Sequence, residues 1–232
     1  MAQKKSKKTI RTKSTRKHHT RRVRARLLDA KLKELFPNVH MALTYSSPWE
    51  LLVAVILSAQ CTDKKVNEVT ARLFKKYPTL DAYVRADLEE FAQDIRSTGF
   101  FRNKAKNVLG AARRVSDVYG GVVPCSMEDL LTLPGVARKT ANVVLGNACG
   151  IVEGIAVDTH VKRFAIRYDL TDARDPVKIE QDLMMLLPKE DWFGFTYRAI
   201  EYGRTIAPAR RYDTSKDPLV ALYPPAAERF RV

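Results

Sequence analysis

The run Leu133-Pro-Gly-Val-Ala-Arg-Lys-Thr-Ala141 constrains this chain more than any other feature. Proline fixes φ and glycine tolerates a backbone closed to other residues, so Pro134-Gly135 makes a tight turn. Apolar residues recur at helical spacing on both sides, so the turn joins two helical segments. Lys139 falls in the first turn of the second segment, after Arg138 and before Thr140.

Backbone N–H groups at such a turn and helix start form a ready phosphate site. A cation is disfavoured at the positive end of a helix dipole, which suits an amine that must act as a nucleophile. Nineteen residues on, in Val157-Asp-Thr-His160, Asp158 supplies a carboxylate on a separate segment. A phosphate-gripping turn, an amine and a carboxylate together point to chemistry on a nucleic-acid sugar. A plain helix–turn–helix with a surface lysine and an Asp N-cap also accounts for the same residues.

The rest of the body reads as helix. Trp49–Leu57 forms a buried helix behind Ser47-Pro48 as N-cap and first residue. Val66, Val69, Leu73 and Phe74, then Leu88, Phe91 and Ile95, then Ala105, Val108, Leu109, Ala112 and Val115 keep the 3.6-residue period. Ser126 caps a short helix to Leu131, and the second hairpin helix runs from about 138 to 148. Further helices are expected over 160–168, from Asp175-Pro176 to Leu187, and from about 192 to 204. No segment sustains period-two alternation, so the fold class is all-α. Residues 206–232 lack periodicity and hold four prolines, so an irregular C-terminal segment is expected.

Charge is unevenly placed. The net charge is +15, yet residues 1–26 carry twelve Lys or Arg and no acid, which leaves 29 basic against 26 acidic side chains elsewhere. Such a segment has almost nothing to bury and is expected to be a disordered basic tail that raises affinity for any polyanion by counterion release. A solubilising or targeting role is the other reading of the tail. The N-terminus lacks the apolar region of a secretory signal, and the longest apolar run, Leu51 to Leu57, is too short to span a bilayer. An intracellular protein without membrane association is expected. Cys61, Cys125 and Cys149 are few, odd in number and far apart, so they read as reduced thiols with no zinc spacing.

With these residues in hand, the chain resembles the helix-hairpin-helix DNA glycosylases, most closely the endonuclease III branch. The likeness runs from about Tyr45 to Tyr223. It includes Ser46-Ser-Pro-Trp-Glu-Leu-Leu52, Ile56-Leu-Ser-Ala-Gln-Cys-Thr-Asp63, Gly99-Phe-Phe-Arg-Asn-Lys-Ala105 and Tyr202-Gly-Arg204 as well as the hairpin. The resemblance implies two helical domains flanking a DNA-binding cleft: a six-helix domain over 46–155, and a second built from 27–45 and 156–232. It implies a monomer acting on double-stranded DNA that contains damaged bases or abasic sites.

The resemblance assigns Lys139 as the amine that attacks sugar C1′ and Asp158 as its charge-stabilising partner. It assigns Gln60 to the gap left by a flipped nucleotide and Phe100 to an apolar wedge in the opposite strand. Pro134, Gly135, Val136, Ala137, Arg138 and Thr140 are expected at the phosphate, and His160 in the lining of the DNA-binding cleft, with local capping and pairing as its other reading. The family usually has glycine where this chain has Ala137. Monofunctional relatives lack the lysine, so a combined glycosylase and abasic-site lyase for oxidised pyrimidines is expected. A mismatch thymine or uracil glycosylase, or a non-catalytic DNA-binding protein, are the alternatives.

The family usually carries a [4Fe–4S] cluster on Cys-x6-Cys-x2-Cys-x5-Cys. The aligned positions here are Ala207, Thr214, Asp217 and Tyr223. The cluster needs thiolates, so no cofactor is expected.

Overall fold

Side-chain oxygens of Ser47, Thr62, Thr79, Asp87, Ser126, Asp158 and Asp175 each accept a first-turn backbone N–H, so local chemistry starts most of the helices. The structure is a computed structural model. It describes residues 2–210 and 212–228, with side chains for residue 17 and from residue 19 onward. Among the described residues there is no strand, and no helix is long and apolar enough to cross a membrane. The chain divides into two compact units, Met41–Glu153 and Met1–His40 with Gly154–Val232.

In the unit Met41–Glu153, α2 (Pro48–Leu57) is the buried element: Leu51 through Leu57 are all at most 4% exposed. Glu50 reaches back to the Ser46 N–H at 2.6 Å and so fixes the chain entering the helix. Around it lie α3 (Asp63–Lys76), α4 (Leu80–Val84), α5 (Leu88–Asp94), α6 (Phe101–Tyr119), α7 (Met127–Leu130) and α8 (Arg138–Val144). Trp49, Tyr77, Tyr83 and Phe91 stack edge-on or tilted, with ring centroids 5.2–5.8 Å apart. Helix α4, five residues long, is too short to register as a period in the sequence. The second hairpin helix stays α-helical only to Val144 and then widens into a π turn over Leu145–Cys149.

Cys125 and Cys149 are joined in a disulfide, with Cα atoms 5.8 Å apart; this overturns the expectation of three reduced thiols. The hairpin doubles back, so the residue before the α7 cap meets the residue that ends the π turn. Cys61 is free.

The other unit packs α1 (Ala2–Leu35), α9 (Thr159–Arg167), α10 (Pro176–Leu186) and α11 (Lys189–Thr205). Its core gathers Ala25, Leu28, Leu32, Val161, Phe164, Ile179, Leu183, Phe195, Tyr202 and Leu219. Arg198 donates twice to Asp29, at 2.8 and 3.2 Å, tying α11 to α1 where both side chains are buried.

The part of the expected disordered tail from Lys17 to Arg26 is instead helical and engaged. Arg21, Ala25, Leu28 and Leu32 share one helical face and are all buried. Arg21 pairs with Asp169 at 2.8 Å and Asp172 at 2.7 Å, and Arg24 with Asp169 at 3.0 Å. Hydrogen bonds from Arg21 and Lys17 hold the Asp172 carboxyl down at about 2. The apolar face of α1 extends these residues into structure that composition alone hides. The side chains expected in the tail at residues 1–16 lie outside the described residues.

Candidate active site

Leu133-Pro134-Gly135-Val136 closes as a turn, with the Val136 N–H donating to the Leu133 carbonyl at 3.1 Å. Proline second and a glycine at φ 79° third is the residue order a type II turn requires. Close packing demands the glycine as well: a Cβ on Gly135 would lie 2.8 Å from Asn107 Cβ on α6. Pro134 rests on the neighbouring Gly110, where a Cβ would lie 3.2 Å from its ring. Helix α6 therefore seats the turn through two small contacts.

Beyond the turn, Ala137 caps α8 without a side-chain oxygen, and a helix start presents N–H groups that lack intrahelical acceptors. Lys139 is exposed, and Arg138 and Thr140 are half-buried. Val136 is 8% exposed, so its side chain belongs to the core and only its backbone can face a phosphate.

Gln60 and Phe100 share an unusual backbone. Both are non-glycine residues in the left-handed region, at φ 52° and 48°, which costs on the order of 1 kcal/mol or more each and clusters at functional sites. Gln60 is exposed, in the turn between α2 and α3. Phe100 is 65% exposed ahead of α6. A large aromatic is thus held in solvent on strained backbone.

Asp158 lies in the other unit, as the N-cap of α9. Its Oδ1 accepts the His160 and Val161 N–H groups, both at 2.8 Å. The capping role noted in the sequence is therefore present, and it fixes where the carboxyl points. The His160 ring lies 3.1 Å from an Arg163 nitrogen and packs on Gly203, where a Cβ would be 2.4 Å from Nδ1. Burial pushes the His160 pKa below the usual histidine range, against the opposing charge of Asp158. Arg163 also donates to the Gly203 and Ala207 carbonyls, tying α9 to the end of α11.

At the four C-terminal positions, Ala207 is buried and Thr214 opens a short 3-10 turn. Arg24 lies 3.9 Å over the ring of Tyr223. Asp217 is 5% exposed, and its Oδ2 accepts the hydroxyls of Tyr168, Tyr202 and Tyr212 while Oδ1 accepts the Leu219 N–H at 2.8 Å. Arg167 stacks 3.7 Å over Tyr212. No motif in the sequence marks this polar centre. The only local signal is an acid among tyrosines, and their convergence depends on how α9, α11 and the C-terminal segment pack. Among the described residues, no three His, Cys, Asp or Glu side chains group to hold a metal.

Residues 53–189 match the model of the HhH-GPD superfamily base excision DNA repair protein. An endonuclease III from Synechocystis sp. is 52% identical over 196 residues, 84% of this chain and 90% of that protein. An endonuclease III from Bacillus subtilis is 46% identical over 193 residues, 83% and 88% respectively. Among solved structures, a non-covalent endonuclease III–DNA complex superposes with a TM-score of 0.86 at 42% identity, covering 91% of this chain and 99% of that one. A thermostable thymine-DNA glycosylase, 21% identical with a TM-score of 0.72, shares the fold.

Proposed function

The chain belongs to the HhH-GPD superfamily of base excision DNA repair proteins and is an endonuclease III-like glycosylase, and from that premise we propose that it removes oxidised pyrimidines from duplex DNA and cuts the strand through a lysine Schiff base. The observation that carries this reading is Lys139, exposed at the start of α8 behind a turn whose Gly135 cannot be replaced without a clash.

The N–H groups at the start of α8 suit a backbone phosphate, which would bring the sugar to the amine. Nζ of Lys139 attacks C1′ as the glycosidic bond breaks, and the bonding pair leaves with the base. A proton passes from that nitrogen to the ring oxygen as the sugar ring opens to an iminium, which acidifies the C2′ proton. Loss of that proton expels the 3′ phosphate oxygen by β-elimination. A fixed anion lowers the energy of the cationic sugar, and Asp158 has that role, its orientation set by the bonds to His160 and Val161. Gln60 fills the vacated stack and Phe100 wedges the opposite strand. The presence of Lys139 favours this chemistry over a monofunctional thymine or uracil glycosylase.

We further propose that the enzyme acts as a monomer, inside the cell with its DNA, and without an iron–sulfur cluster. The donor set does not fit a cluster: Ala207 and Thr214 offer no thiolate, and Asp217 is already the acceptor of three hydroxyls. The purified protein should be colourless and active, and stoichiometric iron would refute this part of the reading.

The deciding experiment is borohydride trapping on a duplex with one oxidised pyrimidine. The wild-type protein should give a covalent complex, and Lys139→Gln should give none while still binding DNA. Undiminished trapping in the variant would remove Lys139 from the mechanism.

A further inference from the structure

Lys104 sits in the second turn of α6 and is 4% exposed, an uncommon setting for a lysine. Its amine donates to the Leu57 carbonyl and to the Thr98 carbonyl, each at 2.8 Å. Its backbone N–H donates to the Phe100 carbonyl at 3.1 Å.

These three acceptors belong to two loops. Leu57 ends α2, and its carbonyl is one of the last four that a helix leaves without an internal partner. The chain then turns through Ser58 and Ala59 into Gln60. Thr98 ends the 3-10 turn Arg96–Thr98, and Gly99 and Phe100 follow directly. One side chain thus closes the ends of both elements, and a cation at a helix C-terminus is electrostatically favoured there. Burial pushes the amine's pKa below the ordinary lysine range. Two acceptors need only two N–H donors, which the charged and the neutral amine both provide.

We infer that Lys104 is a positioning residue that holds the loops of Gln60 and Phe100 in register, so that both side chains meet one duplex together. The inference rests on the glycosylase reading above. Left-handed backbone at a non-glycine residue persists only where the surroundings over-determine it. Lys104 supplies that constraint to both loops through hydrogen bonds to main-chain atoms. The competing account is that the amine merely satisfies two buried carbonyls, in which case its loss would loosen the unit without regard to substrate.

The test compares two substrates in Lys104→Met and in the milder Lys104→Gln. A duplex carrying an oxidised pyrimidine requires base extrusion, and so requires Gln60 and Phe100. A single-stranded oligonucleotide with a preformed abasic site requires only the lysine chemistry. Cleavage of the duplex should fall roughly tenfold or more, while single-strand cleavage stays within about threefold of wild type. In a Gln60→Ala, Phe100→Ala background the further loss on duplex should shrink to within about threefold, because coupled residues are not additive. Equal losses on both substrates, a loss that multiplies fully in the double-alanine background, or an unchanged duplex rate would each overturn the inference. If Lys104→Met loses cooperative unfolding, Lys104→Gln carries the same comparison. A wild-type protein that cleaves neither substrate overturns the enzymatic reading beneath it, a result distinct from any of these.

Discussion

The hydroxyl of Tyr168 donates to Oδ2 of Asp217 across 3.0 Å, joining residues 49 apart in sequence. Tyr202 and Tyr212 donate to the same oxygen. Leu219, two residues on, is fully buried in the core of that unit. Leu222 is 43% exposed, whereas Tyr223 is held by Arg24. The C-terminal segment is therefore fixed by apolar burial at Leu219 and Ala226, by the Asp217 centre and by the contact of Tyr223 with Arg24.

Asp217→Asn tests that centre. An amide offers one acceptor oxygen in place of two: with that oxygen toward the tyrosines its NH2 faces the Leu219 N–H, and with the NH2 toward them the hydroxyls lose their shared acceptor. Leaving a buried donor unsatisfied costs about 1–3 kcal/mol, and each kcal/mol is worth about 2–4 °C for a chain of this size. Thermal unfolding followed by circular dichroism should show that loss, and an unchanged Tm would mean the tyrosines find other partners.

The Cys125–Cys149 bond spans 24 residues that include the whole hairpin. In the chain-entropy model a closed loop of this size stabilises by about 3 kcal/mol. Cys125→Ser, or reduction of the wild type, should lower the urea midpoint accordingly. Equal midpoints with and without reductant would show that the bond adds nothing to stability.

Part of the N-terminal charge is paired within the fold. Seven of the twelve cations precede residue 17, whereas Arg21 and Arg24 are spent on Asp169 and Asp172. Deleting residues 1–16 should weaken DNA binding across all sequences and flatten its salt dependence by about 0.9 log units per lost phosphate contact. Deletion through Arg26 should also destabilise the protein, because it removes the buried Ala25 and Arg21. A salt slope unaffected by the shorter deletion would exclude electrostatic tethering.

His160 sets a pH dependence. Its folded pKa is held below the unfolded value, first by burial. As pH falls through about 6.5, the unfolded chain takes up the proton before the folded one does. Stability is therefore full above that pH and is lost below it, down to the folded pKa. The Tm of the wild type should decline in this window, and that of His160→Gln should decline less. Parallel curves would assign the decline to other groups.

The helices and the hairpin turn were legible in the sequence because their causes are local. A cap acts over three residues, a Pro-Gly pair over four, and a helical period over one or two turns. Ser47, Ser126, Asp158 and Asp175 were accordingly placed correctly, as was the turn at Gly135. Asp158 was legible both as a cap and as a carboxylate, since one residue type serves both ends. The pairing of Cys125 with Cys149, the convergence of three tyrosines on Asp217, the burial of Arg21 and the bridge of Lys104 between two loops were not legible. Each joins segments that become neighbours only when helices pack, and no local propensity records which carbonyl or thiol will lie across the gap. The left-handed backbone of Gln60 and Phe100 belongs with them. Neither residue type asks for it, and contacts from outside the turn impose it.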